Sequence, residues 1–436
     1  MFKKTFCSSP WFHVRLTYDG SFESCRWAKN PVRVEQYQTQ TLMQYYNSEQ
    51  MRSLRQQLLA GEAPDHCATC YYEESFGKLN GRIRQLNKSA VDVGNFDLTL
   101  RSSPHYKNFE FSLNNQGLAD LAPVDLQIEL GNTCNSACIM CTPEASSRLE
   151  ADYHKLNAIN PKLFIKPASY NSWTQDPELV DRFVEELISI PNIRYIHFLG
   201  GETLYEEAFY TICEKLIAHD RAKDIIIGTT TNGTIYNDRI QSFIEKFKQF
   251  HLGISIESVT GLNDYIRWPG RIDSILPNVD KFLKLRDSNP GLYISLRITP
   301  NVFSVFEIDK MFVYMLENRV IAESCNILYK PSLLRMELIP EDIRAEIKEK
   351  LATLIDYYEL SKESVINVRR TDQIDQVTAN VILDYYQFIC DYAIPEDVEQ
   401  SRFELVDFIK SFETIRGNSI LDHAPRYEKF LRHYGY

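Results

Sequence analysis

Leu126-Gln127-Ile128-Glu129-Leu130-Gly131-Asn132-Thr133-Cys134-Asn135-Ser136-Ala137-Cys138-Ile139-Met140-Cys141 decides the reading of this chain. Apolar and polar residues alternate over 126–130, which predicts a half-buried strand. Gly131 and Asn132 end it. Cys134, Cys138 and Cys141 follow at once, spaced C-x3-C-x2-C. Thiolates hold iron–sulfur clusters, and a cubane has four irons. Three close thiolates can ligate three irons and leave the fourth open, as a catalytic zinc site keeps an open position. The alternative is a zinc ion, which takes four ligands. The nearest further candidate for that is His154, in a polar, helix-like stretch.

Working outward, strands are predicted at 126–130, 194–199, 224–230, 252–256, 292–298 and 320–328. Amphipathic helices lie between them. Phe183, Val184, Leu187 and Ile188 form one apolar stripe; Ile240, Phe243, Ile244 and Phe247 form another. Six such units imply a parallel sheet with right-handed crossovers and an active site at the C-terminal strand ends. The remaining polar motifs fall at those ends. Gly200 and Gly201 leave room for a ligand to approach the backbone, and Glu202 offers an acceptor for an ammonium. Thr231 and Asn232 have short polar side chains suited to ribose or carboxylate oxygens. Ser255 and Glu257 end the fourth strand, and Arg267 lies ten residues beyond Glu257. The plain alternatives are a strand-to-helix turn, a helix-capping turn and a surface arginine.

Residues 1–123 carry their own cysteines. Cys7 precedes Pro10-Trp11, a strand at 12–16 and a turn at Asp19-Gly20, and Cys25 follows. A hairpin with a cysteine before and after it brings both toward one metal. A helical stretch then places Leu42, Tyr45, Tyr46, Met51, Leu54 and Leu58 at helical spacing, and Gly61 stops it. Cys67 and Cys70 complete a set of four. Four thiolates suit a closed cluster, a zinc ribbon or unrelated core positions. Residues 86–123, rich in Ser, Asn and Pro, read as a linker with short strands. The last hundred residues are helical. One stripe is Ile343, Ile347, Leu351 and Leu354 after Pro340, and another helix spans 398–414 before Gly417. Cys213, Cys325 and Cys390 sit in apolar contexts as core residues, with Cys390 the one alternative cluster ligand.

The chain has 436 residues, enough for two or three domains and a large core. Its net charge of −11, from 48 basic and 59 acidic residues, argues against a nucleic-acid duplex as partner. No apolar run has the length of a membrane span. The N-terminal residues lack a signal-peptide core. Ten cysteines without an export signal therefore point to metal use in a reducing, cytoplasmic setting. No repeat, Gly-rich phosphate loop, H-E-x-x-H or nucleophile elbow is present.

The C-x3-C-x2-C triad and the strand-end motifs resemble the radical SAM superfamily. The Cys7-to-Gly20-to-Cys25 spacing resembles its auxiliary-cluster module, called SPASM or twitch, as do Tyr46-Asn47-Ser48-Glu49, Cys67-x2-Cys70, Glu74, Gly77 and Arg82. The resemblance implies an α/β chain: a twitch/SPASM-like module with linker at 1–123, a partial (β/α)6 TIM-type barrel at 124–330 and a C-terminal helical extension at 331–436. It implies a SAM-binding [4Fe–4S] cluster on Cys134, Cys138 and Cys141, an auxiliary [4Fe–4S] cluster on Cys7, Cys25, Cys67 and Cys70, and S-adenosylmethionine (SAM). Gly200, Gly201 and Glu202 match the motif for the methionyl amino group; Thr231, Asn232, Ser255, Glu257 and Arg267 complete the cofactor side, with Ser255 and Arg267 on the SAM carboxylate. The implied reaction cleaves SAM reductively to a 5′-deoxyadenosyl radical, which takes hydrogen from a substrate. The favoured substrate is a peptide, the alternative a small molecule such as a sugar or nucleotide, and the electron donor a flavodoxin or ferredoxin. The rival of another class is a non-catalytic iron–sulfur or zinc protein. Four departures stand out: the module precedes the barrel, it holds four cysteines, which fits one cluster rather than two, Thr203 stands where Pro is common, and Glu257 stands where Asp is common.

Overall fold

The computed structural model describes residues 4–28, 36–75, 81–88, 101–103, 105–167, 171–322, 326–328, 330–362 and 374–436. Among these residues eight strands make one open sheet, in the order β2 (Phe22–Glu23), β1 (His13–Leu16) and then β3 to β8 in sequence. From β3 onward every neighbouring pair is parallel: β3 (Asp125–Glu129), β4 (Tyr195–Leu199), β5 (Ile226–Thr231), β6 (Gln249–Ser255), β7 (Leu292–Arg297) and β8 (Ile321–Ala322). These are the six predicted units of a partial barrel. Leu126, Ile128, Ile196, Phe198, Ile227, Leu252 and Ile254 are buried toward the outer helices, where Phe198 meets Phe209 edge-on. A parallel sheet covered on both faces reads as near-continuous apolar runs; the alternation here marks a sheet packed on helices on one face, with polar residues on the other.

The last strand is shorter than its sequence predicts. Residues 323–325 and 329 lie outside the described residues, and 326–328 are not strand. The Tyr385 hydroxyl accepts from Asn326 N–H at 2.9 Å and donates to Asn326 O at 2.7 Å. A side chain from helix Ile374–Asp391 thereby takes the backbone bonds a further ladder would use.

The N-terminal hairpin is present, with β1 (His13–Leu16) antiparallel to β2 (Phe22–Glu23). It is not a separate sheet, because β1 also pairs parallel with β3, Val14 beside Leu126 and Leu16 beside Ile128. On the other face, Arg15 bonds both Glu23 of β2 and Glu129 of β3. Residues 86–123 depart from the expected linker with short strands. Residues 89–100 are outside the described set, and Tyr106–Asn114 is a helix. Its Phe109 is fully buried edge-on against Phe6 and Trp11, and Trp11 Nε1 donates to Ser112 Oγ at 2.7 Å. Aromatic packing across a hundred residues overrides the Ser- and Asn-rich composition.

The predicted helical stretch after residue 41 is two helices, Leu42–Tyr46 and Glu49–Ala60. Ser48 caps the second, and Gly61 ends it at φ 78°. Arg55, fully buried, gathers the surrounding chain by donating to Pro10 O, Tyr46 O, Gly117 O and Asn47 Oδ1. At the other end, helices Glu341–Tyr357 and Val398–Arg416 stand where predicted, the latter ended by Gly417 at φ 68°.

Arg55→Met strands three buried carbonyls, of Pro10, Tyr46 and Gly117, each costing about 1–3 kcal/mol. Its thermal unfolding midpoint, followed by circular dichroism, falls well below that of the parent, while an exposed control such as Lys223→Met leaves it unmoved.

Candidate metal and cofactor site

The loop carrying Cys134, Cys138 and Cys141 leaves the C-terminal end of β3 and is braced on two sides. On one side, Gly201 N–H donates to Gly131 O at 2.8 Å and Glu202 N–H donates to Thr133 O at 2.9 Å. A Cβ on Gly201 would lie 2.3 Å from Thr133 O and 2.6 Å from Asn132 O. What the glycine admits is therefore the cysteine loop's own backbone, where the sequence pointed to a ligand. On the other side, Ala137 N–H donates to Trp268 O at 2.7 Å and Ile139 N–H donates to Ile266 O at 2.8 Å. Arg416, from helix Val398–Arg416, donates to Ala137 O at 2.6 Å and pairs with Asp152, its side chain only 2% exposed. No local pattern marks Arg416 for this role, since its partner lies 279 positions away.

The thiols sit in a protein environment rather than in water. Burial pushes Cys134 and Cys141 up to about 12 and raises Cys138. Ser136 N–H donates to Cys134 Sγ at 3.4 Å, and Arg267 Nη1 donates to Cys138 Sγ at 3.6 Å. Such donors favour a thiolate, and a bound metal deprotonates a coordinating thiol outright.

The strand-end residues converge on this loop. Glu202 is buried, and its carboxylate accepts from Thr231 Oγ1 at 2.6 Å, Leu204 N–H at 3.1 Å and Asn232 N–H at 2.6 Å. Burial raises its pKa to about 6, the three donors acting the other way. Asn232 Nδ2 reaches Asn135 Oδ1 at 2.7 Å and Ser136 Oγ at 3.0 Å, joining β5 to the cysteine loop. Gly200 precedes Gly201 at φ 153°. Ser255 ends β6 half-buried, paired in register with Arg297. Glu257 is buried and accepts from Arg267 Nη2 at 2.6 Å and Thr299 N–H at 2.8 Å. The bland reading of Arg267 as a surface residue does not hold, because its side chain is 12% exposed.

Cys7, Cys25, Cys67 and Cys70 line one cavity of about 430 Å³, open space included. Burial raises the thiols of Cys7, Cys25 and Cys67, and the neighbouring cysteines add to the rise in each. Cys25 Sγ accepts from Trp27 N–H at 3.3 Å. Cys7 is 8% exposed, and the chain before it is tied down. Arg82 donates to Lys4 O and Phe6 O and pairs with Glu74, and Tyr71 donates to Thr5 O. Gly77 lies outside the described residues. Among the described residues no group of three or more His, Cys, Asp or Glu gathers closely enough for a single metal ion; the four thiols ring a space instead. Both thiol sets fit a multi-iron cluster in donor type, burial and N–H support. Cys213 is fully buried, as expected of a core residue; Cys390 is half-buried, and Cys325 is outside the described residues. The nine described cysteines are all free.

The radical SAM superfamily matches residues 128–294, and the iron–sulfur cluster-binding SPASM domain matches residues 7–71. The chain is a radical SAM enzyme with an N-terminal SPASM module. Its cofactors are accordingly [4Fe–4S] clusters and SAM. Among solved structures it is similar to Streptococcus suis SuiB bound to S-adenosylmethionine, at 14% identity over 82% of this chain and 71% of that one, TM-score 0.37. SuiB bound to precursor peptide SuiA matches at 14% identity over 82% and 70%, TM-score 0.37. Native anSMEcpe with bound AdoMet matches at 18% identity over 54% and 61%, TM-score 0.36. No curated protein matches the chain.

Gly201→Ala displaces the cysteine loop without touching the N-terminal thiols. In the radical SAM SPASM enzyme, iron after anaerobic reconstitution should fall from about eight to about four per chain, the content of one [4Fe–4S] cluster. Full iron loading would show that the close approach is dispensable.

Proposed function

We propose that this radical SAM enzyme holds its SAM-binding cluster on Cys134, Cys138 and Cys141 and acts on a peptide. The observation that carries the reading is the loop of three thiols at the end of β3, braced by Gly201–Glu202 on one side and by 266–268 on the other. When bound, the cluster and SAM together supply a 5′-deoxyadenosyl radical that abstracts hydrogen from a substrate carbon.

The chain's own residues do the positioning. Glu202, fixed by three donors, presents a negative charge to the methionyl ammonium. Gly200 and Gly201 keep that carboxylate against the loop. Thr231, Asn232 and Ser255 offer hydroxyl and amide groups along the same strand ends. Cys7, Cys25, Cys67 and Cys70 supply four ligands to the auxiliary cluster, so no iron there is left for substrate to coordinate. Residues 1–123, 124–330 and 331–436 are read as module, barrel and helical extension.

The open face of the sheet supports an extended, polar substrate. Arg15, Glu129, His197, Thr230, His251 and Ser295 all face away from the helices and are half-buried. They belong to six strands of the sheet, which at about 4.8 Å spacing cover roughly 25 Å measured along its curved face. A closed (β/α)8 barrel fills this space with branched apolar side chains; here it is lined with polar groups. SuiB, the similar protein above, is recorded with a precursor peptide, which accords with this reading without carrying it. Among the described residues no helix is long and apolar enough to cross a membrane. The proposed setting is the cytoplasm, with a flavodoxin or ferredoxin as electron donor.

Reconstituted enzyme with dithionite should convert SAM to 5′-deoxyadenosine, and a short precursor peptide encoded beside its gene should accelerate this severalfold. Replacing Cys134, Cys138 and Cys141 together with Ala should abolish product; deoxyadenosine from that variant sinks the assignment. The same variant should keep about four irons and four sulfides, with an EPR signal that ignores added peptide. Zinc in place of that iron, or a signal that shifts with peptide, would overturn the closed auxiliary cluster.

A further inference from the structure

Arg267 is set against Cys138 by the backbone on both sides of each residue. Segment 266–268 runs beside segment 137–139 in two rungs, Ala137 N–H to Trp268 O and Ile139 N–H to Ile266 O. Cys138 and Arg267 are the residues between the rungs, so register opposes their side chains. Nη1 donates to Cys138 Sγ at 3.6 Å and Nη2 donates to Glu257 Oε1 at 2.6 Å. Glu257 is itself immobilised: its Oε2 accepts from Thr299 N–H, and its own N–H donates to Asn263 Oδ1 at 3.0 Å. The Glu257 side chain is fully buried and that of Arg267 nearly so. Turning the guanidinium away from Glu257 would leave that buried carboxylate with the Thr299 N–H and no counter-charge, a costly arrangement.

We propose that Arg267, oriented by Glu257, is a resident partner of the Cys138 thiolate that sets the reduction potential of the barrel cluster, in place of a role on the SAM carboxylate. The proposal rests on Cys134, Cys138 and Cys141 being that cluster's ligands. Hydrogen bonds to the sulfurs and net local charge are levers on cluster potential. Reduction adds a negative charge. A guanidinium on a ligand sulfur stabilises the reduced cluster more than the oxidised one, and burial limits screening by salt. Glu257 lies one residue farther out and acts in the opposite direction, while its hydrogen bond aims the guanidinium. Arg267 and Glu257 are thus positioning residues, acting through the cluster.

The test is an EPR-monitored redox titration of the full-length holoenzyme, following the signal that responds to SAM, beside equilibrium binding of SAM to the oxidised enzyme. Arg267→Gln should lower the midpoint potential by a tenfold or larger bias toward the oxidised cluster, 59 mV for a one-electron couple. Glu257→Gln should raise it, and Arg267→Lys should restore most of the loss. SAM affinity should change less than threefold in each. A potential unmoved in both neutralised variants overturns the proposal, as does a tenfold loss of SAM affinity in Arg267→Gln at constant potential. If Arg267→Gln does not load iron, the upward shift in Glu257→Gln decides alone. Failure of the ligand assignment is separately visible: the SAM-responsive signal would then survive in the triple alanine variant of Cys134, Cys138 and Cys141.

Discussion

A loop with three cysteines has no conformation of its own, and the site depends on how this one is clamped. Two strand-like rungs from 266–268 hold one side, and the Gly201 and Glu202 amides hold the other. The clamp needs a residue without a side chain at 201, because the loop carbonyls come closer than any Cβ permits. The same turn delivers Glu202, so one steric constraint fixes both the thiols and the carboxylate beside them. Two chemically distinct halves of the site are thereby kept in register by backbone bonds, which the Asn232 and Arg416 side chains reinforce.

The second joint is between the cysteine-bearing N-terminus and the barrel. β1 is at once an arm of the N-terminal hairpin and the neighbour of β3, the strand that leads into the barrel cysteines. Arg15 binds carboxylates from the strands on both sides of it. The two thiol sets are therefore attached to adjacent strands of one sheet, which a flexible tether could not achieve. Glu186 of the barrel adds a second tie, accepting from Tyr37 OH at 3.0 Å and Leu42 N–H at 2.7 Å.

Buried arginines recur wherever distant segments meet. Arg55 collects carbonyls from 10, 46 and 117; Arg344 takes Ile389 O and Cys390 O; Arg402 takes Leu338 O and Ile339 O; Arg416 takes Ala137 O. Each satisfies carbonyls in loops or in the last turn of a helix. A planar group with five donors suits this, since one residue answers several carbonyls that would otherwise be buried unpaired. Arg267 differs in taking a sulfur and a carboxylate through its two Nη atoms, while its buried Nε has no hydrogen-bond partner.

The alternation at 126–130, the strand–helix alternation after it and the cysteine spacings determined the parallel sheet, the thiol sets and the polar strand ends. These are local signals: a strand buries every second residue, and Cys134, Cys138 and Cys141 stand close together in sequence. Helix ends at Gly61 and Gly417 were legible for the same reason. Tertiary structure alone decided the merging of the hairpin into the barrel sheet, since strand pairing depends on a partner about 110 residues away. It turned the Ser- and Asn-rich stretch at 106–114 into a helix through Phe109, and it shortened β8 through the Tyr385 hydroxyl. It also gave Arg416 a place beside the cysteine loop and Arg267 a place on Cys138. A long, charged side chain carries no periodicity that names its partner, and its contact is chosen by whichever backbone segment packing brings opposite it.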